Sequence, residues 1–182
     1  MVITLYYHGT GHTFFRRILW VGWRRIASKI VRDADVVHSV SEYEACLLKD
    51  RFNVNPIIIE YGVDEENLKY EWKPSDYALY AGRLEKYKNV DRLANIIRIL
   101  NEDLGMNLKL KIIGEGPYKE KLLKMLKKIN LSFEIMDFLP RGEYLETLYK
   151  STFFGLLSSK ESFGQVVNEA NAMGVPVVVA KP

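Results

Sequence analysis

Four stretches of this chain place groups able to hold phosphates or hydroxyls directly after short apolar runs. The first, Ala81-Gly82-Arg83-Leu84-Glu85-Lys86-Tyr87-Lys88-Asn89, sets a glycine and two cations, Arg83 and Lys88, between the end of a strand and the start of a helix. Glycine lets the backbone approach a phosphate closely, and a guanidinium with an ammonium neutralises charge building on a departing diphosphate. The second, Ile113-Gly114-Glu115-Gly116-Pro117-Tyr118, is another glycine-rich turn, although it does not complete a G-x-G-x-x-G pattern. The third, Leu139-Pro140-Arg141-Gly142, reads as a turn at the border of a base pocket. The fourth runs from Ser158 to Ala170 and carries Glu161 and Glu169. Their spacing puts Glu161 in a loop before a helix and Glu169 about one turn inside it, so one carboxylate can meet a sugar while the other reaches a ribose. Between them, the amides of Phe163, Gly164 and Gln165 lie at a helix N-terminus, where unpaired N–H groups seat hydroxyl or phosphate oxygens. Taken singly, the cations fit a solvated turn and the acids an exposed pair. Their order along one sheet is what argues for a site.

That sheet follows from alternation. Short β-rich apolar runs alternate with segments of helical period, the pattern of parallel strands joined by crossover helices, so the fold class is α/β. Strands are expected at Ile3 to Tyr7, Asp35 to Val40 and Pro56 to Tyr61, with helices across Thr13 to Val31 and Glu42 to Phe52. This first part, residues 1–64, reads as a partial lobe. A polar stretch at 65–76, holding Pro74, reads as a linker. Residues 77–182 then alternate regularly: strand Tyr77 to Ala81, helix Asn89 to Leu104, strand Leu108 to Ile113, helix Pro117 to Ile129, strand Phe133 to Leu139, helix Glu143 to Ser151, strand Phe153 to Leu157, helix Gly164 to Met173 and strand Pro176 to Val179. That is a doubly wound, Rossmann-like sheet, which binds ligands outside the carboxyl ends of its strands, where the four loops lie. In the first of these helices Val90, Leu93, Ile97, Leu100 and Leu104 form one apolar stripe, with Asn89 placed to cap its start and Gly105 its end. Pro117 suits a first helical turn.

Read together, Gly82-Arg83-Leu84 with Lys88, Ile112-Ile113-Gly114-Glu115-Gly116-Pro117, the Glu-x7-Glu pair within Lys160-Glu161-Ser162-Phe163-Gly164 and its following helix, and Asn171-Ala172-Met173-Gly174-Val175-Pro176-Val177-Val178 resemble the retaining family-4 (group 1) glycosyltransferases of the GT-B fold. Upstream, Ala34-Asp35-Val36-Val37-His38-Ser39-Val40-Ser41 and Tyr61-Gly62-Val63-Asp64 look like the end of that family's first, acceptor-side domain. The resemblance implies sugar transfer with retention from a nucleotide-diphosphate donor to a lipid-linked or polysaccharide acceptor. It puts Arg83 and Lys88 on the donor diphosphate, with Gly82 and Gly114 beside it, Glu169 on the ribose and Glu161 on the transferred sugar. Phe163, Gly164 and Gln165 supply amide contacts, and His8 faces the donor sugar from the first domain. Ser162 and Asn89 stand where the family usually has glycine. By this comparison the chain is truncated at both ends, which leaves a second reading open: a split or truncated nucleotide-sugar-binding module without turnover on its own. The Glu-x7-Glu loop argues against a nucleotide-sugar epimerase.

Composition sets the remaining bounds. The 182 residues are 48% hydrophobic, with 26 basic and 23 acidic side chains and a net charge of +3, too even a balance for a nucleic-acid partner. A single cysteine, Cys46, excludes an intrachain disulfide, fits a reducing compartment and, among Ala45, Leu47 and Leu48, is expected to be buried. No apolar run reaches the roughly 20 residues of a membrane span, the start does not read as a signal peptide, and no His or Cys cluster has metal-ligand spacing, so the expectation is a cytoplasmic protein without a cofactor. Arg16, Arg17, Trp20, Trp23, Arg24 and Arg25 have the composition of a helix lying on an anionic membrane surface, which adds peripheral membrane association. Open sheet edges add self-association or a complementing chain.

Overall fold

The computed structural model describes residues 1–7, 23, 25–161 and 163–180. His8, Arg16, Arg17, Trp20, Arg24 and Ser162 therefore lie outside the described residues. Two compact units are present, one made of Met1–Gly62 with Lys160–Gly164 and the other of Val63–Ser159 with Gln165–Pro182.

The first unit has three parallel strands, β1 (Val2–Thr4), β2 (Val36–Ser39) and β3 (Ile57–Ile58), in the order β1-β2-β3. Helix α1 covers residues 25–32 of the longer helix expected there, and α2 is Glu42–Phe52. The α2 boundaries come from local chemistry. The Ser41 hydroxyl accepts from the Glu44 amide 3.2 Å away, and Asn53 closes the helix in a left-handed conformation with its N–H on the Lys49 carbonyl. Val31, Val37, Leu48 and Phe52 form the core with Tyr7, whose ring meets Phe52 edge-on at 5.3 Å. Cys46 does not join them. It is exposed, because α2 turns Glu44, Ala45, Leu48 and Phe52 inward and so points residue 46 outward.

Glu44 is fully buried. Its carboxylate accepts from the Tyr7 amide, from the Val40 amide at 3.0 Å and from the Ser39 hydroxyl at 3.2 Å, which ties the ends of β1 and β2 to α2. Hydrogen bonds to a charged acceptor contribute more than neutral ones. Glu44→Ala should therefore destabilise this unit by about 2–4 kcal/mol, since it leaves buried amides unmet. Chemical denaturation followed by circular dichroism checks this, and an unchanged midpoint would refute it.

The second unit is a five-stranded parallel sheet in the order β6-β5-β4-β7-β8, with β4 at Tyr77–Ala81, β5 at Lys109–Ile113, β6 at Phe133–Met136, β7 at Phe153–Leu156 and β8 at Val177–Val179. Central strand β4 has every residue buried, as a strand covered on both faces requires. Helices α3 (Val90–Leu104), α4 (Lys119–Leu126), α5 (Arg141–Tyr149) and α6 (Gln165–Ala172) complete the alternation. Gly155 lets α3 pack closely, since a Cβ there would come 2.5 Å from Leu93. The 65–76 stretch holds a short 3-10 helix, Glu65–Lys69, and is fastened to its unit: Trp72 donates to the Ser151 carbonyl at 2.9 Å, and Tyr70 stacks on Tyr149 at 5.1 Å.

Several local expectations are corrected. Asn89 does not cap α3 with its side chain. It sits at φ 53° with its Nδ2 donating to the Leu157 carbonyl at 2.7 Å, so its backbone takes the left-handed conformation that glycine adopts most readily. Leu104 is 67% exposed because the α3 stripe outruns the sheet it covers. Pro117 precedes α4, whose N-cap is Tyr118. Strands β1, β3 and β6 are shorter than their apolar runs, since only the paired residues count as strand.

Candidate functional site

In the β6-β5-β4-β7-β8 order the chain reverses direction across the sheet between β4 and β7, and an open α/β sheet binds ligands at this point, outside the strands' carboxyl ends. A cavity of about 450 Å³ lies there in the second unit. Ala81 at the end of β4 and Gly82 after it, Ile113 at the end of β5 with Gly114 and Glu115 after it, and Asp137, Phe138 and Leu139 after β6 line it, together with Arg141 and Tyr144 of α5 and Val166 and Glu169 of α6.

The floor of the cavity depends on missing side chains. The Gly82 amide donates to the Ile113 carbonyl and the Gly114 amide to the Met136 carbonyl, both at 2.9 Å, which brings consecutive loops into backbone contact. At Gly114, with φ 147°, a Cβ would fall 2.0 Å from the Gly82 carbonyl oxygen. Only glycine fits.

Glu169 is 7% exposed, one turn into α6. Its Oε1 accepts from Arg141 Nη1 at 2.7 Å and its Oε2 from the Tyr144 hydroxyl at 2.6 Å. Arg141 is held in turn by Asn67 Oδ1 at 3.0 Å and Asp64 at 3.4 Å, with its guanidinium over the Tyr144 ring. Burial first, and the hydrogen bond to Glu169 second, push the Tyr144 hydroxyl far above the ordinary tyrosine range, so it remains a donor at any physiological pH. Each carboxylate oxygen keeps a second lone pair for a ligand hydroxyl, while the two donors hold the group in place.

Of the residues named from the sequence, Gly82, Gly114 and Glu169 thus line one cavity. Arg83 directly follows Gly82 in the loop after β4, with its Nε 3.3 Å from Glu85 and its side chain 63% exposed. Lys88 lies over the Tyr87 ring at 5.3 Å. Gln165 is the first residue of α6, and Glu161, Phe163 and Gly164 fall in the first unit. Arg141 reads from the sequence only as a turn residue at the border of a base pocket, and Tyr144 is not among the residues the sequence singles out. Their signal was the position of Arg141 just past a strand's carboxyl end with an aromatic three residues on, one helical turn away. Among the described residues no group of three or more His, Cys, Asp or Glu side chains could hold a metal ion, and no helix is long and apolar enough to cross a membrane.

An uncharacterized glycosyltransferase of Methanocaldococcus jannaschii is 29% identical over 150 residues, covering 82% of this chain and 41% of that protein. The N-acetyl-alpha-D-glucosaminyl L-malate synthase of Bacillus anthracis is 29% identical over 119 residues, 63% of this chain and 30% of that protein. The chain therefore spans less than half the length of these relatives. Among solved structures, S. aureus TarM in a complex that includes UDP aligns with a TM-score of 0.80 at 18% identity, over 98% of this chain and 36% of that one. Anabaena HepE in complex with UDP-glucose aligns with a TM-score of 0.79 at 18% identity, over 99% of this chain and 53% of that one. These two likenesses show the fold. The family model for glycosyl transferases group 1 matches residues 64–182, well over half of the sequence, and the chain belongs to that family.

Proposed function

We propose that the cavity after β4, β5 and β6 takes the nucleoside diphosphate of a nucleotide sugar, and that the protein containing this chain transfers the sugar with retention to a lipid-linked or polysaccharide acceptor. The observation that carries this reading is Glu169, buried beside the glycine-floored cavity and held by Arg141 and Tyr144 with lone pairs to spare for ribose hydroxyls. Arg83 and Lys88 neutralise the diphosphate as the bond from the sugar's anomeric carbon breaks and both its electrons pass to the phosphate oxygen. Glu161 holds hydroxyls of the transferred sugar and the amides of Phe163, Gly164 and Gln165 serve its oxygens, while His8, outside the described residues, is assigned to the same sugar by the family resemblance alone. No resident cofactor is invoked, since the nucleotide sugar is substrate.

Titration calorimetry with UDP and GDP tests this. A hydrogen bond to a charged group contributes about 1.5–3 kcal/mol, so reversing both cations, Arg83→Glu with Lys88→Glu, should weaken binding at least about 100-fold. Unchanged affinity would sink the reading. The same samples separate the alternative, a binding module without turnover: nucleotide binding with no hydrolysis of any donor sugar would favour it.

The membrane partner and the peripheral location are part of the same proposal. Trp23 and Ile26 on the first unit are each 53% exposed beside exposed Arg25, which suits an anionic lipid surface. The tryptophan emission should shift to the blue with anionic vesicles at low salt and return as salt screens the arginines; no shift would remove the lipid partner. Sedimentation at rising concentration tests self-association through the sheet edges.

A further inference from the structure

Three aromatic side chains from distant parts of the sequence meet in the first unit. Tyr6 follows β1 and Tyr61 follows β3, each beyond the carboxyl end of its strand, and Phe163 comes from the Lys160–Gly164 stretch of the same unit. The Tyr6 and Tyr61 rings lie 16° from parallel with centroids 6.4 Å apart, and Phe163 meets Tyr61 edge-on at 5.6 Å. The two hydroxyls are hydrogen-bonded to each other. None of the three belongs to the core of this unit, and Tyr6 stays 61% and Tyr61 38% exposed. Packing therefore does not account for a cluster assembled from three segments at the ligand-binding edge of a parallel sheet.

We propose that Tyr6, Tyr61 and Phe163 form a wall that takes one sugar ring of the acceptor. A pyranose has a face of C–H groups and a rim of hydroxyls. A tyrosine matches it with an apolar ring face and a hydroxyl that both donates and accepts. An alkyl chain would use the ring faces and leave the hydroxyl pair unused, so the paired hydroxyls favour a sugar over a lipid tail. The hydrogen bond shared with Tyr6 comes first among the effects that raise the Tyr61 pKa, so Tyr61 stays protonated at neutral pH. Phe163 also stands two residues from Glu161, the group assigned above to the transferred sugar, so donor sugar and acceptor sugar would meet along one short loop. Calling the ring an acceptor rests on that functional reading; the wall's affinity for a sugar does not.

Saturation-transfer NMR on this chain, with methyl α-glucopyranoside and methyl N-acetyl-α-glucosaminide as sugar probes and octanol as the alkyl probe, tests the inference. The ring protons of at least one glycoside should receive saturation, and the effect should fall about fivefold or more in Tyr6→Ala and Tyr61→Ala, the loss typical of removing an aromatic contact. Tyr61→Phe, which keeps the face and loses the hydroxyl, should fall between wild type and Tyr61→Ala. Silent glycosides, signals equal in wild type and both alanine variants, or transfer to octanol alone would overturn the wall. Both tyrosines are solvent-facing, and matching circular dichroism spectra confirm that the variants fold. A UDP titration on the same samples keeps the two ideas apart. UDP binding with silent glycosides removes only the wall, and glycoside binding without UDP binding removes only the donor reading.

Discussion

Glu169→Ala is expected to weaken nucleoside-diphosphate binding about 100-fold or more, because in the proposed site two ribose hydroxyls lose one charged acceptor and each such bond contributes about 1.5–3 kcal/mol. The same change should lower stability. Arg141 keeps Asn67 and Asp64, but the Tyr144 hydroxyl loses Glu169 as its acceptor, and an unmet buried donor costs about 1–3 kcal/mol. For a chain of this size that is a fall in Tm of roughly 3–10 °C, read by differential scanning calorimetry. Arg141→Gln separates orientation from contact. It leaves the carboxylate in place and removes the guanidinium that aims Oε1. Wild type should prefer UDP to 2′-deoxy-UDP, and Arg141→Gln should narrow that preference more than it weakens binding to inorganic pyrophosphate. Equal loss for all three ligands would mean that Arg141 acts on the diphosphate instead. An unaltered UDP affinity in Glu169→Ala would move the ribose elsewhere.

Gly114→Ala should be nearly as damaging through backbone alone. The added methyl group would lie 2.0 Å from the Gly82 carbonyl oxygen, and the residue would have to hold φ at 147°, where side chains are strained. The loops after β4 and β5 must then separate, which breaks the floor of the cavity and the Leu84–Glu115 hydrogen bond of 2.7 Å beside it. A destabilisation of about 2–4 kcal/mol and loss of measurable UDP binding are expected. Gly142→Ala is the control, since a Cβ there meets nothing within 4 Å. If Gly114→Ala binds UDP like wild type, the glycine floor is not part of the site.

What could be read without coordinates was what local periodicity encodes. Tyr77–Ala81 is one continuous apolar run between turn residues, and Glu42–Phe52 opens at Ser41 and closes at Asn53, so both elements fall on the expected residues. The parallel sheet followed from the alternation, and the Gly82, Gly114 and Glu169 positions from the rule that ligands meet strands at their carboxyl ends. Strand ends were overestimated where an apolar run outlasts its partner, as at Phe133–Met136, because pairing depends on a neighbouring strand.

Other features exist only once distant segments meet. Arg141 looked like a turn residue because its meaning comes from Asn67 on one side and Glu169 on the other, 74 and 28 positions away. Asn89 looked like a cap, yet its side chain serves the Leu157 carbonyl, and its left-handed backbone marks why glycine is usual there. Cys46 has apolar neighbours in sequence and Leu104 ends the apolar stripe of α3, but both point away from the core. Sequence alone determined which elements form and which loops carry polar groups, since those depend on residues a few positions apart. The tertiary structure decided which side chains share a cavity and which donors hold a buried carboxylate, because hydrogen bonds and close packing are set by distances between segments that local pattern does not contain.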